Sequence, residues 1–203
     1  MTVQATRDPR TREERSAAMQ RRILEATLES LVEKGYCGTS TLEVQQRAGV
    51  SRGALLHHYG SRTELMVAAV RHITRERIIE FTPPAPPKKG RVEWAVRNFW
   101  ETFQGPTWKA SLELWVAATH DPELRDALRP QERMLGQVIR GQAADMFGPE
   151  IAAKPGFAMA VELLFDAQRG AAARAVLRTA ESDDRLIESW VALVSSVAEL
   201  KPR

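Results

Sequence analysis

The chain has 203 residues, of which 43% are hydrophobic and 27% charged, a composition typical of a globular protein with one domain or two small ones. No apolar run approaches the roughly 18 residues of a membrane-spanning helix, and the first residues lack the apolar segment of a signal peptide. Cys37 is the single cysteine, which excludes an internal disulfide or a cysteine-based metal site and favours the reducing cytoplasm.

The net charge of +3 is unevenly distributed along the chain. The first 62 residues hold 10 basic and 7 acidic side chains, whereas the rest hold 19 of each. The basic excess therefore lies in the N-terminal third and indicates an anionic partner there.

Helical periodicity and helix-capping signals recur along the whole sequence, and strand-like alternation is nearly absent. Ser or Thr caps, three of them followed three residues later by Glu, predict the starts of four N-terminal helices, and Gly and Phe positions predict their ends. These helices are predicted to begin after Thr11, Ser40, Ser51 and Ser61 and to end near Gly35, Gly49, Gly60 and Phe81.

The segment FTPPAPPKKG, residues 81–90, is the natural boundary between an N-terminal and a C-terminal unit. Four prolines in five residues prevent a helix and form a semi-rigid spacer. Five further helices follow, the third of them opened by the N-cap Asp121 and by Pro122 at its first position. We therefore expect an all-α protein of about nine helices, the last two covering approximately residues 155–179 and 182–200.

The second and third helices have helix-turn-helix proportions. Gly49 supplies the positive φ of the tight turn, and Val50, Leu55 and Tyr59 are predicted to pack the third helix inward. Its outer face would then lie in a major groove of DNA, with flanking side chains holding phosphates. The candidate DNA contacts are Thr41, Ser51, Arg52, Gly53, Ala54, His57, His58 and Arg62.

The stretch GYCGTSTLEVQQRAGVSRGALLHHYGSRTEL resembles the N-terminal region of the TetR family of bacterial transcriptional regulators, over about residues 15–75. The match includes the AGVS-x-G-x-L run at 48–55 and His58, Tyr59, Ser61 and Arg62. The remainder agrees only in layout. Two residues depart from the pattern: Leu56 stands where the family often has a phosphate-binding tyrosine, and Gln45 where it usually has a tightly packed alanine.

The resemblance implies a cytoplasmic, homodimeric regulator with no cofactor and no enzymatic activity, a repressor that a small apolar or aromatic effector releases from a palindromic operator. It divides the chain into a basic arm at 1–14, a DNA-binding domain at 15–75 and a ligand-binding and dimerisation domain at 76–203. An all-α small-molecule-binding protein or enzyme without DNA binding, and a pure interaction module, remain as alternatives.

Adjacent histidines raise the question of a metal site. Neighbouring residues on a helix point about 100° apart, so His57 and His58 are poorly placed to chelate one ion together, and we predict no metal. For His58 a packing or capping role remains an equal alternative to DNA contact. The arm arginines Arg7, Arg10, Arg12 and Arg15 are predicted to be solvated, with minor-groove insertion as the alternative.

Aromatic side chains are concentrated in the C-terminal unit and predict an effector pocket, although ordinary core packing is the simpler explanation for any one of them. The pocket candidates are Trp94, Trp100, Phe103, Trp108, Leu112, Trp115, Met134 and Phe165. Glu162, Asp166 and Arg169 share one helix face; we interpret them as a solvated ion pair rather than as acid–base catalysts.

The last two helices carry more apolar surface than one core requires, which indicates an interface between two copies of the chain. Small residues in the first of them would permit close helix approach, and a wide apolar stripe runs along the second. The candidate dimer contacts are Ala171, Arg174, Ala175, Leu186, Trp190, Leu193, Val194 and Val197.

Overall fold

A computed structural model describes residues 11–81, 84–177 and 183–200, and these residues form helices and connecting turns without a strand. The first ten residues of the predicted arm, with Arg7 and Arg10, lie outside the described residues, as do residues 178–182. The helices are α1 Arg12–Gly38, α2 Thr41–Ala48, α3 Arg52–His58, α4 Arg62–Glu80, α5 Arg91–Glu101, α6 Gly105–Ala117, α7 Pro122–Phe147, α8 Pro149–Ala152, α9 Phe157–Arg174 and α10 Asp184–Ala198, with a 3₁₀ turn at Ala175–Leu177.

The predicted helix starts are confirmed by the capping contacts. Thr11 forms a reciprocal capping box with Glu14, in which the Thr11 N–H donates to Glu14 Oε2 at 2.6 Å and the Glu14 N–H to Thr11 Oγ1 at 3.2 Å. The side chains of Ser40, Ser51 and Ser61 each accept the N–H three residues further on at 3.1 Å. Each cap satisfies a backbone donor that the first helical turn leaves without a partner.

Two of the glycines predicted to end helices have positive φ, which was expected for Gly49 alone. Gly49 ends α2 at φ +60°, and Gly35 interrupts α1 at φ +69°, so that the chain turns before Gly38. A Cβ on Gly35 would lie 2.7 Å from Oε2 of Glu113 on α6. Gly35 therefore leaves room for the Glu113 carboxylate beside the end of α1.

The prediction of nine helices was one short within the described residues. The additional helix, α8, is a single turn between α7 and α9 that begins at Pro149 directly after Gly148. Gly148, at φ +86°, separates it from α7. The other predicted segments each correspond to one helix, and within the described chain no helix is long and apolar enough to cross a bilayer.

Two clusters of buried side chains hold the helices together. The N-terminal cluster contains Ile23, Leu31, Val44, Leu55 and Leu65 from α1–α4, and it continues into α6 and α7 through Ala110, Leu114, Leu124 and Leu128. The C-terminal cluster joins α5, α7, α9 and α10 around Phe99, Trp100, Phe147, Leu164 and Trp190. The unit formed by α1–α3, which we call the head, is thus packed directly on the helices of the C-terminal unit.

Candidate nucleic-acid interface and effector site

Two inward side chains, Leu55 and Tyr59, anchor the third helix in the N-terminal cluster, and both are buried as the sequence predicted. Val50, half-buried, packs against the same cluster. On the opposite side Ser51, Arg52, Gly53 and His57 are exposed, and Ala54 and His58 are half-buried. This arrangement leaves a short helix with one free face of the width that a major groove admits.

The turn between α2 and α3 is fixed from α1. Arg22 donates to the carbonyl oxygen of Ala48 and, at 3.4 Å, to that of Gly49. These carbonyls lie at the end of α2, where helical partners are missing. Arg22 was missed by the sequence analysis because its target lies 26 residues further along the chain.

A second arginine ties α2 to α1 by charge. Arg47 donates to Glu33 at 2.5 Å and to Glu43 at 3.2 Å, and its hydrogen bond to Glu33 lowers the pKa of that carboxyl. Lys34 contacts Glu43 at 2.6 Å, and this contact is the main cause of the lowered pKa of Glu43. Part of the basic excess of the N-terminal third is therefore paired within the head.

Arg62, a predicted phosphate contact, is also engaged within the chain. Its guanidinium donates to the carbonyl oxygens of Thr39 at 3.0 Å and Tyr36 at 2.6 Å, and its Cζ lies 4.2 Å from the ring centroid of Tyr36. These contacts hold the end of α1 against the start of α4. Thr41, another predicted phosphate contact, is half-buried at the first position of α2.

The adjacent histidines of α3 contact each other edge to face, with ring centroids 5.4 Å apart. The pKa of His58 is lowered, first by partial burial and then by repulsion from His57. Among the described residues, no group of three His, Cys, Asp or Glu side chains is placed to hold a metal ion.

Tyr36 makes two hydrogen bonds across the junction between the head and the C-terminal unit. Its O–H donates to Oδ2 of Asp121 at 2.8 Å, and its backbone N–H donates to Oε2 of Glu113 at 3.0 Å. Burial, and secondly the bond to Asp121, raises the pKa of Tyr36. The pKa of Asp121 is lowered mainly by the backbone N–H of Leu124, which it caps, and then by the Tyr36 hydroxyl.

The structure brings four of the predicted pocket residues together in one chain of ring contacts. Phe103 meets Trp108 at 5.1 Å and Phe165 at 6.4 Å, and Trp108 meets Trp115 at 5.5 Å between centroids. The guanidinium carbon of Arg169 lies over the Trp115 ring, 4.7 Å from its centroid. We call Phe103, Trp108, Trp115 and Phe165 the aromatic cluster.

The other pocket candidates lie elsewhere. The Trp100 ring contacts that of Trp190 in a tilted arrangement, with centroids 5.0 Å apart, and its indole N–H donates to Asp183 at 2.9 Å. Trp94 and Leu112 are half-buried against the C-terminal core, and Met134 is 49% exposed. The helical spacing of Trp100 and Leu112 is typical of apolar contacts, but it does not show which neighbour each residue meets.

Two cavities adjoin the aromatic cluster. A cleft of about 240 Å³ between α7 and α9 is lined by Phe165, with Arg140, Asp166 and Arg169 among its polar residues. A groove of about 740 Å³ between α6 and α7 is lined by Trp115, Ala118, Thr119, Arg125, Leu128, Arg129, Glu132 and Arg133. Asp166 and Arg169 are 3.9 Å apart, the ion pair that their spacing predicted.

The predicted dimer contacts divide into two groups. Ala171 on α9 and Trp190 and Val194 on α10 are buried in the core of their own chain, where α10 packs on α5 and α9. Leu186, Leu193 and Val197 are half-buried on the flank of α10, and Arg174 and Ala175 are exposed. The exposed apolar residues of α9, Met159 and Leu163, were missed by the sequence analysis.

Comparisons with known proteins agree with this architecture. Residues 23–69 match the family model described as bacterial regulatory proteins, tetR family. The chain is 29% identical over 194 residues to an uncharacterized HTH-type transcriptional regulator of Mycobacterium tuberculosis, covering 92% of this chain and 98% of the relative. Among solved structures, a transcriptional regulator from Rhodococcus sp. Rha1 superimposes with a TM-score of 0.68 at 20% identity, covering 90% and 99%. The multidrug binding protein EbrR, complexed with ethidium, gives 0.58 at 22% identity, covering 86% and 97%.

A helix-turn-helix head on an all-helical body, in a chain similar to regulators over nearly its whole length, defines the class of DNA-binding transcriptional regulators. The head carries the more specific signal, because the family match lies on α1–α4. The similarity to the TetR family of bacterial regulatory proteins lies at residues 23–69, and the similarity to transcriptional regulators extends over nearly the whole chain.

Proposed function

We propose that this protein is an effector-responsive regulator that binds a palindromic DNA operator as a homodimer. The observation that carries the proposal is the geometry of α3, which is anchored by buried Leu55 and Tyr59 and has a free outer face. The exposed Arg52 at its first position would pair with a guanine edge or a phosphate. Repression relieved by an effector is the mode that we propose for it.

Gly53 supports a close approach of α3 to DNA. A Cβ added there would meet only Oγ of Ser51, at 4.0 Å, so the protein itself has room for a larger side chain. The missing side chain would instead leave space for a phosphate or a base edge beside the backbone. Ala54, next to it, is small enough to touch a thymine methyl group.

For the dimer we propose a face formed by α9 and the neighbouring flank of α10. Met159 and Leu163 expose apolar surface on α9, and Gly170 and Arg174 continue the same stripe at helical spacing. Leu186, Leu193 and Val197 would contribute from α10. A two-fold axis through this face would present two α3 helices and therefore require a palindromic operator.

The effector is proposed to bind next to the aromatic cluster. The similarity of the fold to that of EbrR, which was solved with ethidium, supports a small-molecule site in the C-terminal unit. Trp115 and Phe165 reach the two cavities on either side of the cluster. An effector acts only through its differential affinity for the DNA-binding and released states, typically worth about 1–3 kcal/mol.

The test is selection of binding sites from random duplex DNA by the full chain, followed by affinity measurements over a range of salt. We expect a palindromic winner bound roughly a thousandfold more tightly than scrambled DNA, with a steep salt dependence. Arg52→Ala should weaken that binding by at least about tenfold, whereas Arg185→Ala, the same charge change at an exposed α10 position, should not. If no sequence is enriched, or if Arg52→Ala binds as well as the unchanged protein, the proposed head function is refuted.

A further inference from the structure

We propose that the groove between α6 and α7 binds a small amphiphilic anion, a molecule with an aromatic body and a carboxylate, and that this anion is the effector. The inference rests on the proposed function and deepens it by naming the chemical class of the effector. Its size fits, because a groove of about 740 Å³ lies within the range of roughly 300–1,000 Å³ typical of small-molecule sites.

The apolar side of the groove is rigid before any ligand arrives. The Trp115 indole N–H donates to Oε1 of Glu132 at 3.0 Å, Trp108 packs perpendicular to its ring at 5.5 Å, and Arg169 covers it at 4.7 Å. Leu128, buried, lines the groove beside it. The planar apolar part of a ligand would therefore pack on an aromatic surface that is already ordered, so that binding would cost little side-chain entropy.

The polar side of the groove is basic. Arg125, Arg129 and Arg133 follow one another at intervals of four residues on α7, so their side chains share one face of the helix. Among the described residues that line the groove, Glu132 is the acidic one, and it is engaged by Trp115. Arg129 also contacts Asp126 at 3.0 Å, with both side chains exposed. The remaining positive charge favours a carboxylate, which arginine binds in a bidentate manner.

The position of the groove connects it to the head. Its lining residues Ala118 and Thr119 lie between Glu113 on α6 and Asp121 at the cap of α7. These two carboxylates are the partners of Tyr36. A ligand that bridges the two walls would alter the spacing of α6 and α7, and both bonds to the end of α1 depend on that spacing.

The test uses three naphthalene probes that differ in charge: 2-naphthoate, 2-naphthamide and 2-naphthylmethylammonium. Isothermal titration calorimetry on the full chain should show that naphthoate binds more tightly than the amide and the ammonium. The double substitution Arg129→Gln and Arg133→Gln should weaken naphthoate by about tenfold or more and leave the amide unchanged, which shows that the groove is still folded. Arg185→Gln, an exposed arginine on α10, is the matched control and should change neither probe.

The same titrations repeated with the selected operator separate this inference from the proposed function. We expect naphthoate to lower operator affinity, and the double substitution to reduce that effect. Equal binding of the three probes, an unchanged naphthoate affinity in the double variant, or naphthoate binding that leaves operator affinity unaltered would each overturn the inference. Loss of specific DNA binding in the absence of any probe would instead refute the proposed function, whatever the probes do.

Discussion

The two histidines at the end of α3 have different surroundings although they are adjacent. His57 is exposed, whereas His58 is half-buried between the rings of His57 and Tyr59. Burial is the main cause of the lowered pKa of His58, and the positive charge of His57 is the second. At neutral pH His58 is therefore predominantly uncharged and would contact DNA as a single hydrogen-bond donor rather than as a cation.

His57→Gln should raise the pKa of His58, but only part of the way to the ordinary value near 6.5, because the substitution removes the repulsion and leaves the burial. Side-chain NMR titration of both proteins measures the change. His120→Gln, at an exposed position between α6 and α7, is the control and should leave the His58 titration unaltered. A His58 pKa that stays the same or falls in the His57 variant would contradict this account.

Single residues of the head were predictable where their role is local. Gly49 needs its left-handed backbone because the turn is tight, and Ser51 caps its own helix, so both follow from neighbouring sequence. Arg62 shows the opposite case. Its charge and position are typical of a phosphate contact, but the carbonyls that it binds belong to Tyr36 and Thr39, and their direction depends on how α1 ends.

At the scale of helices, the start of α9 lies directly against the end of α10. The Gly156 N–H donates to the carbonyl oxygen of Ala198 at 2.9 Å. A Cβ on Gly156 would lie 2.1 Å from the carbonyl oxygen of Val197 and 2.7 Å from that of Leu200. Because these neighbours are backbone atoms, an alanine would require one helix end to move.

Gly156→Ala should therefore destabilise the protein by roughly 1–3 kcal/mol or more, the cost typical of overpacking. Urea unfolding monitored by circular dichroism measures it. Gly141→Ala is the matched control: this helical glycine of α7 is exposed, with nothing within 4 Å of an added Cβ, and alanine there should stabilise by about 0.5–1 kcal/mol. Equal stabilities for the two variants would refute the close contact.

The bounds of the helices could be predicted better than the residues that each helix contacts. Asp121 and Pro122 mark the start of α7 because an N-cap and a first-turn proline act within a few residues. The apolar stripe of α10 likewise predicted burial, but it did not separate Trp190, which contacts Trp100 in its own chain, from Leu193 on the flank. Which part of a wide stripe faces its own chain depends on helix packing far away in sequence.

Across the whole molecule, contacts between segments far apart in sequence connect the head to the C-terminal unit. Tyr36→Phe removes the hydroxyl bond to Asp121, 85 residues away, and keeps the backbone bond to Glu113. We expect a loss of about 1 kcal/mol in stability and a smaller effect of the effector on operator affinity, measured by parallel unfolding and DNA-binding titrations. An effector that changes operator affinity equally in this variant and in the unchanged protein would show that the Tyr36 hydroxyl does not connect the effector site to the head.

The hydrogen bond between Tyr36 and Asp121 also makes the stability of the protein depend on pH. A carboxyl whose pKa is lowered on folding adds stability that is present above its ordinary pKa, near 3.9, and is lost as the pH falls through its folded value. The Tyr36 hydroxyl is the second cause of the lowered Asp121 pKa. Unfolding measured between pH 7 and 2 should therefore show a shallower acid loss for Tyr36→Phe than for the unchanged chain, and an identical slope would contradict that contribution.

The largest structural unit that we propose is the dimer. Leu163 is 42% exposed on α9 and would be covered by the partner copy. Leu163→Glu would place two carboxylates, one from each copy, near the two-fold axis, where burying each charge costs more than the roughly 1–3 kcal/mol of an unpaired neutral polar group. We therefore expect the dimer dissociation constant to rise at least about a hundredfold, with operator binding falling to the level of a single half-site. Sedimentation at several concentrations measures the first effect and DNA titration the second. Val116→Glu, at a 63% exposed position of α6, is the control and should leave the dimer dissociation constant and operator binding unaltered. If the Leu163 variant remains a dimer, the interface lies on another face of the molecule.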